Sequence, residues 1–270
     1  MKDMPIRLIA TDIDGTLLNS RGEMPERNRQ AILSAQEKGI TVAIASGRFP
    51  ENVYILLEKY GLSCPIIGDN GGRITDEKLR VLWERPMAIA AAQSVLEVLL
   101  AFGSDYFIFG GKSIGTSSET VVHHSELSQG DRMRDLGFRY YHGPEQAREL
   151  VRQPVHKFFV CDNVPLEPVR AALQAVPGIS LTRSGVHNME VMPFGVDKGS
   201  GIRDYAALLH LSTDQVMALG DEENDIPMLK AAGYGVAMGN GSDAAKAAAR
   251  FVTDTHDQCG FAKAIEKYAL

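Results

Sequence analysis

Cysteine is scarce in this chain of 270 residues, which contains only Cys64, Cys161 and Cys259. The number is odd, and no two of these residues have the short spacing of a zinc site. This pattern argues against a disulfide-rich secreted scaffold and against a structural zinc domain. We interpret the three cysteines as reduced core thiols of a cytoplasmic protein.

Long apolar runs and an excess of basic residues are also absent. No run approaches the roughly 20 residues of a membrane-spanning helix, and the N-terminus lacks the apolar segment and cleavage site of a signal peptide. Lys and Arg number 28 against 34 Asp and Glu, a net charge of -6, whereas a nucleic-acid surface needs a basic footprint. We therefore expect a soluble cytoplasmic protein that binds neither membranes nor nucleic acid. The sequence does not indicate its oligomeric state.

The composition is that of a folded globular chain, with 44% hydrophobic and 23% charged residues, and the length suffices for two domains. Apolar runs at Ile6–Ile13, Ile40–Ser46 and Cys64–Asn70 alternate with stretches at Pro25–Lys38 and Pro50–Tyr60 that favour helices. Strands and helices in this alternation form a parallel sheet with helices on both faces.

The alternation is interrupted after a predicted hairpin at Arg73–Glu84. Residues 84–186 mix short strands with helices, and we interpret them as an inserted α+β domain. The α/β pattern resumes at 187, so residues 1–83 and 187–270 are expected to form one discontinuous core. That core is predicted to be a doubly wound, Rossmann-like parallel sheet.

Polar and charged residues follow predicted strands or open a predicted helix, at the edge where an open α/β sheet binds its ligands. They form four clusters, which are Asp12 and Asp14; Ser46, Gly47 and Arg48; Lys198; and Asp221, Asn224 and Asp225. Because the carboxyl ends of parallel strands meet at one edge of a sheet, we expect all four clusters to converge on one crevice.

The chemistry of these groups suits phosphoryl transfer. Asp12, Asp14 and Asp221 supply hard oxygen ligands for Mg²⁺, and a bound cation would compensate the repulsion between the first two carboxylates. The hydroxyl, ammonium and amide groups of the other clusters can bind anionic oxygens. One carboxylate can attack phosphorus, and a second one can protonate the leaving oxygen and later deprotonate water.

Four segments resemble, in order, the motifs of the haloacid dehalogenase superfamily. DIDGT at 12–16 resembles its DxDGT signature, SGR at 46–48 its second motif, Lys198 in GVDKG its third, and GDEENDIPML at 220–229 its fourth. The motif order and the inserted domain are similar to those of the Cof-type subfamily, which carries a mixed α/β cap between its second and third motifs. Relatives often have threonine where Ser46 stands, and both residues carry the hydroxyl.

The resemblance implies a role for each matched residue. Asp12 would be the nucleophile and a metal ligand, and Asp14 the general acid and base that also offers its backbone carbonyl to the metal. Asp221 would be the third protein ligand of Mg²⁺, and Asp225 would orient the lysine or a metal-bound water. The phosphate would be bound by Ser46, Gly47, Lys198 and Asn224.

Four further residues are candidate substrate contacts, namely Arg48, Asn70, His187 and Asn188. Arg48 can equally pair with a carboxylate of the core. Asn70 belongs to an Asp-Asn-Gly-Gly sequence that also suits a simple turn. His187 and Asn188, with Glu190 close by, lie where the chain is expected to re-enter the core.

The function expected from these residues is Mg²⁺-dependent hydrolysis of small phosphomonoesters, such as sugar phosphates or phosphorylated cofactors, through an aspartyl-phosphate on Asp12. The inserted domain is expected to close over the crevice and select the leaving group. One alternative is a sugar phosphomutase or phosphotransferase on the same fold. Another is a non-catalytic phosphate-ligand sensor, which is expected to lack Asp12 or Asp14. The adjacent His123 and His124 are interpreted as solvated loop residues.

Overall fold

The computed structural model describes residues 5–117, 130–183 and 187–270, and only the backbone of 130–132. His123 and His124 therefore lie outside the described residues. The chain divides into two compact units. Unit 1 comprises the described residues of Met1–Trp83 and of Asp197–Leu270, and unit 2 those of Glu84–Val196.

Strands and helices are numbered in chain order. The strands are β1 (Leu8–Thr11), β2 (Thr41–Ala45), β3 (Ile66–Gly68), β4 (Arg73–Thr75), β5 (Val81–Glu84), β6 (Tyr106–Gly110), β7 (Ser113–Thr116), β8 (Arg139–His142), β9 (Lys157–Cys161), β10 (Ile179–Thr182), β11 (Asn188–Pro193), β12 (Val216–Gly220), β13 (Tyr234–Ala237) and β14 (Phe251–Val252). The helices are α1 (Glu26–Glu37), α2 (Pro50–Lys59), α3 (Ile89–Phe102), α4 (Gly130–Asp135), α5 (Gly143–Leu150), α6 (Leu166–Leu173), α7 (Lys198–Leu208), α8 (Ile226–Ala231), α9 (Asp243–Ala248) and α10 (Gly260–Tyr268).

An eight-stranded sheet runs in the order β14-β13-β12-β1-β2-β3-β4-β5. The strands from β14 to β3 are parallel, and β4 turns back antiparallel to β3. Leu8 of β1 pairs with Val216 of β12 on one side and with Thr41 of β2 on the other, so the strand order reverses at β1. The predicted doubly wound fold is confirmed, and its ligand crevice is expected at the carboxyl ends of β1 and β12.

Both faces of this sheet are covered by helices, which explains why its central strands read as continuous apolar runs. Ile9 of β1 belongs to a buried cluster with residues of α1, α2 and α10, including Phe261. Its neighbour Leu8 points to the opposite face and packs in a second cluster with Ile202 of α7 and Met228 of α8. All four residues of β1 are buried, so this strand is fixed at the centre of the unit.

Unit 2 has its own six-stranded sheet, in the order β10-β11-β9-β6-β7-β8. Helices α3, α5 and α6 pack on the face that carries Tyr106 and Ile108. Phe109 and Phe159 alternate along their strands with the residues under the helices. The buried Lys157 ammonium lies 5.1 Å from the ring centroid of Phe109 and 5.8 Å from that of Phe159. Its Nζ is 3.4 Å from a carboxylate oxygen of the buried Glu190. The predicted α+β character of this segment is observed.

The return of the chain to unit 1 differs from the predicted boundary at 186/187. Strand β11 pairs antiparallel with β9 and β10, with Leu181 opposite Val191, and thus belongs to the sheet of unit 2. The division between the units falls at 196/197 instead. The apolar character of Asn188–Pro193 indicates a strand, but it does not specify which sheet the strand joins.

The cysteine environments and the helix lengths can be read directly from the structure. All three cysteines are free, and Cys64 is buried, whereas Cys161 and Cys259 are only half-buried and do not lie deep in a core as expected. Within the described part of the chain, no helix has the length and apolarity needed to cross a membrane.

A three-residue turn, Asp69–Gly71, connects β3 to β4 with left-handed backbone throughout. Asp69 and Asn70 have φ of 50°, and Gly71 has φ of 94°. The N–H groups of Asp69 and Asn70 donate to the carbonyl oxygens of Arg48 and Ser46, over 2.9 and 3.0 Å. The turn therefore holds the segment that follows β2.

The same turn approaches the start of α7. A Cβ atom on Gly71 would lie 2.3 Å from the carbonyl oxygen of Asp197, so only glycine fits this contact. On its other side the turn is anchored by the buried Arg73, which binds Asp69 over 3.2 Å and Glu51 over 2.9 Å. Three parts of unit 1 are thereby connected at one point.

We expect Gly71→Ala to lower the free energy of unfolding by at least about 3 kcal/mol, because it combines a left-handed alanine with a backbone clash. Gly39→Ala is the matched control, since Gly39 has φ of 74° but nothing within 4 Å of its Cβ position. In the control, the free energy of unfolding should fall only by the cost of a left-handed alanine, about 1–2 kcal/mol. Urea denaturation measures both. Equal losses would contradict the close approach to Asp197.

Candidate functional site

The site forms at the carboxyl ends of β1 and β12, which lie side by side. Asp12 follows β1, and its N–H donates to the carbonyl oxygen of Leu219 over 2.9 Å. Asp221 follows β12. Both aspartates are buried, at 7% and 6% exposure, so two carboxylates share a nearly dry space. The two aspartates follow neighbouring strands, as their positions in the sequence predicted.

Lys198 is the cation at this site. It is the first residue of α7, which begins there because the side chain of Asp197 accepts the N–H of Ser200 over 2.6 Å as an N-cap. The Lys198 side chain is fully buried, and its Nζ lies 2.6 Å from Oδ1 of Asp12 and 2.6 Å from Oδ1 of Asp225. One ammonium thus bridges two carboxylates that come from different strand ends.

Asp225 connects this cation to the backbone of the fourth motif. Its second carboxylate oxygen accepts the N–H groups of Asp221 and Glu222, over 2.8 and 3.1 Å. A Cβ on Gly220 would lie 2.5 Å from the Cβ of Asp225, which explains the glycine that precedes Asp221. Asp225 therefore holds Lys198 and the Asp221 backbone in one arrangement.

The charges of the cluster do not balance. Asp12, Asp221 and Asp225 bring three carboxylates against the one ammonium of Lys198. Burial raises the pKa of Asp12 well above its usual range, and the other carboxylates raise it further although Lys198 lowers it. Burial, with the charge of Asp225, also raises the pKa of Asp221 to about 7. For Lys198, burial alone lowers the pKa, but the two aspartates outweigh it and raise the pKa.

This imbalance fits a bound divalent cation. One oxygen from each of Asp12, Asp221 and Asp225 can be chosen so that all lie within 4.8 Å of one another. Hard carboxylate oxygens in a site with excess negative charge are the donors that Mg²⁺ prefers. Gly15 leaves space beside them, since a Cβ there would lie 2.1 Å from Oδ2 of Asp221. The residues present therefore fit the expected metal.

Asp14 does not belong to this carboxylate cluster. Its side chain is 62% exposed, and both of its oxygens accept hydrogen bonds from Arg48, over 2.8 and 3.0 Å. Arg48 also donates to Oδ1 of Asn52 over 3.1 Å. Of the two interpretations of Arg48, the structure shows pairing with a carboxylate, but that carboxylate is the exposed Asp14 and not one of the core.

The hydroxyl and amide groups expected to bind phosphate lie on the neighbouring strand ends. Ser46 follows β2 and is 2% exposed, and its Oγ accepts the N–H of Arg48 over 3.1 Å. Gly47 separates the two in the chain. Asn224 is 8% exposed, and its Nδ2 donates to Oδ1 of Asn70 over 3.3 Å. The structure thus places Asn70 beside Asn224.

The remaining candidate contacts belong to unit 2. His187 is exposed and its Nδ1 lies 2.6 Å from Oδ2 of Asp162. Asn188 opens β11, opposite Cys161 of β9. Glu190 pairs with Lys157. These residues were expected at the re-entry into the core, and that placement is wrong because β11 belongs to the second sheet.

Two residues that the sequence reasoning left out hold Asp221. Thr16 Oγ1 donates to its Oδ1 over 3.0 Å, and Asn240 Nδ2 lies 3.5 Å from its Oδ2. Asn240 also donates to the carbonyl oxygen of Gly15 over 2.8 Å. Thr16 closes the DxDGT motif, and Asn240 follows β13, so the rule that identified the other strand-end residues applies to it as well.

Comparison with known proteins gives consistent results. Residues 9–265 match the family described as haloacid dehalogenase-like hydrolase. The chain is 30% identical over 271 residues to the 5-amino-6-(5-phospho-D-ribitylamino)uracil phosphatase YcsE of Bacillus subtilis, covering 100% of this chain and 98% of that protein. It is 29% identical over 240 residues to the HMP-PP phosphatase of Cronobacter sakazakii, covering 87% and 84%. A solved haloacid dehalogenase-like hydrolase from B. subtilis superimposes with a TM-score of 0.84 at 27% identity, covering 97% and 99%.

We expect Lys198→Met to lower the free energy of unfolding by about 3–5 kcal/mol, because it leaves two buried carboxylates without their cation. Lys263→Met is the control, since the pair of Lys263 with Asp254 is largely exposed and should contribute less than about 1 kcal/mol. Urea denaturation without divalent cations measures both. A Lys198→Met variant as stable as the control would show that the bridge does not stabilise unit 1.

Proposed function

The chain belongs to the haloacid dehalogenase-like hydrolase family and is a phosphatase, and we propose that it hydrolyses small phosphomonoesters with Mg²⁺ through an aspartyl-phosphate on Asp12. The single observation that carries this proposal is the buried Asp12 carboxylate at the end of β1. One of its oxygens is held by Lys198, which leaves the other oxygen as a fixed nucleophile.

The metal site of the proposal consists of the Asp12 and Asp221 carboxylates and the Asp14 backbone carbonyl. Bound Mg²⁺ would supply charge neutralisation between the attacking carboxylate and the phosphoryl oxygens. Asp225 is engaged by Lys198 and by two backbone N–H groups, so we assign it the task of holding these groups in place.

In the first proposed step, the Oδ2 of Asp12 attacks phosphorus and the bond between phosphorus and the ester oxygen breaks. Asp14 gives a proton to that leaving oxygen. In the second step, Asp14 takes a proton from water while the water oxygen attacks phosphorus. The bond between phosphorus and Oδ2 of Asp12 breaks, which releases inorganic phosphate and restores the Asp12 carboxylate. One Asp14 oxygen must leave Arg48 for these transfers, and the exposure of the Asp14 side chain permits this.

The transferred phosphoryl group is proposed to be bound by Ser46, Gly47, Lys198 and Asn224. The ammonium of Lys198 sits beside the nucleophile, where it can neutralise a phosphoryl oxygen as well as Asp12. The Ser46 hydroxyl accepts a backbone N–H and keeps its own hydrogen for donation. The Ser46, Lys198 and Asn224 side chains are buried, so little reorganisation of these groups is needed in the reaction.

We propose that unit 2 selects the organic group of the substrate. In the Cof-type subfamily the domain inserted at this place in the chain is the cap, and this resemblance supports the assignment. The relatives named above act on a phosphoribitylamino-uracil and on HMP-PP. We therefore favour sugar phosphates and phosphorylated cofactors as substrates, in a cytoplasmic setting.

Phosphate release from a panel of phosphomonoesters tests the proposal. The wild type should release phosphate with Mg²⁺ and lose that activity with a chelator. Asp12→Asn should stay folded and lose turnover by roughly 10³-fold or more, because a neutral amide does not attack phosphorus. Turnover that survives in this variant would remove Asp12 as nucleophile. A sugar phosphate product without free phosphate would identify a phosphomutase or phosphotransferase.

We expect Asp14→Asn to distinguish esters by their leaving groups. Alkyl phosphates need a proton on the departing oxygen and should lose about 10²–10⁴-fold in kcat/KM. For p-nitrophenyl phosphate the departing oxygen is stable without a proton, so the loss should be much smaller when formation of the aspartyl-phosphate limits the rate. Equal losses for both esters would indicate that Asp14 acts only through structure or metal binding.

A further inference from the structure

We infer that Asn70 is a positioning residue whose side-chain oxygen orients the amide of Asn224 toward the phosphoryl group. The inference rests on the proposed function, since it assigns Asn224 a phosphoryl oxygen as ligand. It differs from the expectation that Asn70 itself contacts substrate.

The contact between the two side chains sets the orientation of Asn224. Its Nδ2 donates one hydrogen to Oδ1 of Asn70 over 3.3 Å. A carboxamide can turn by 180° and exchange its oxygen and nitrogen, and a fixed acceptor selects one of the two orientations. Because an amide nitrogen carries two hydrogens, donation of one to Asn70 leaves the second for an anionic oxygen. Without Asn70, the Asn224 oxygen could face the phosphate and repel it.

Asn70 has a left-handed backbone, which glycine adopts without steric cost and which asparagine adopts more readily than most other residues. Asn70 has φ of 50° and ψ of 36°, directly after Asp69 with φ of 50°. Two successive non-glycine residues in the left-handed region carry a cost that glycine would avoid. The Asn70 side chain is only 1% exposed and is bonded to a candidate phosphate ligand, and its presence at a left-handed position where glycine would cost less points to a use for that side chain.

The position of Asn70 is fixed from three directions. Its N–H donates to the carbonyl oxygen of Ser46 over 3.0 Å. Asp69 before it is held by the buried Arg73. Gly71 after it packs against the carbonyl of Asp197, next to Lys198. Through Asn70, the turn therefore fixes the position of the Asn224 amide relative to Ser46 and Lys198, which are also proposed to bind phosphate.

A double-mutant cycle tests the inference, with inorganic phosphate as the probe in the presence of Mg²⁺ and isothermal calorimetry as the measurement. Asn70→Gly removes the side chain and keeps the left-handed backbone without strain. We expect Asn70→Gly and Asn224→Ala each to weaken phosphate binding by about tenfold, the size of one hydrogen bond to a charged group. The double variant should be no weaker than either single one, because both changes remove the same contact.

His210→Gly is the control for relief of strain. His210 has φ of 57° and is exposed at the end of α7. Both glycine variants should keep or raise the melting temperature, and only Asn70→Gly should weaken phosphate binding. Unchanged binding in Asn70→Gly, or a roughly hundredfold loss in the double variant, would overturn the inference while leaving the proposed function intact. Wild type that binds no phosphate would instead overturn the proposed function.

A measurement on the wild type guards against misfolding of the variants. In ¹H–¹⁵N spectra, phosphate should shift the side-chain amide protons of Asn224 more than those of Asn70. A larger shift at Asn70 would show that Asn70 itself binds the phosphate and would overturn the positioning role.

Discussion

The ammonium of Lys198 between Asp12 and Asp225 is the interaction on which the rest of unit 1 depends. Asp12 and Lys198 are 186 positions apart in the chain, and the whole of unit 2 lies between them. A buried charge without a partner is costly, so β1, the start of α7 and the turn after β12 must meet at one point. This requirement joins the two halves of a discontinuous unit and at the same time fixes the oxygen proposed as nucleophile.

Two features of the site are unfavourable for stability. Three buried carboxylates face one cation, which raises the pKa of Asp12 and Asp221 and leaves the cluster in need of further positive charge. Nearby, Asp69 and Asn70 hold left-handed backbone that glycine would adopt more easily. Both features lie at the carboxyl ends of the strands, where an α/β sheet binds its ligands. Their position supports a site shaped for an anion and a metal ion and not for stability alone.

Local sequence signals predicted much of this molecule. Buried parallel strands read as continuous apolar runs, and the positions of Asp12, Ser46 and Asp221 after strands and of Lys198 at a helix start predicted one common region for them. The family resemblance is confirmed by the match over residues 9–265. These features depend on short windows of sequence, in which residue type and spacing carry the information.

Features that depend on pairing between distant segments were not predictable in this way. Strand β11 looked like a return to the core, but its hydrogen bonds go to β9 and β10. The bond from Asn224 to Asn70 joins residues 154 positions apart, and the pairing of Arg48 with Asp14 depends on side-chain reach. The apolar pattern of a strand does not identify the strands that it pairs with. The type of a polar residue does not identify its hydrogen-bond partner either.

Acid quenching of a reaction with ³²P-labelled p-nitrophenyl phosphate and Mg²⁺, followed by peptide mapping, tests the central claim most directly. Label that survives the quench on the peptide containing Asp12, and that is absent from Asp12→Asn, is the predicted result. Label on another residue, or sustained phosphate release with no labelled protein at any quench time, would contradict attack by Asp12.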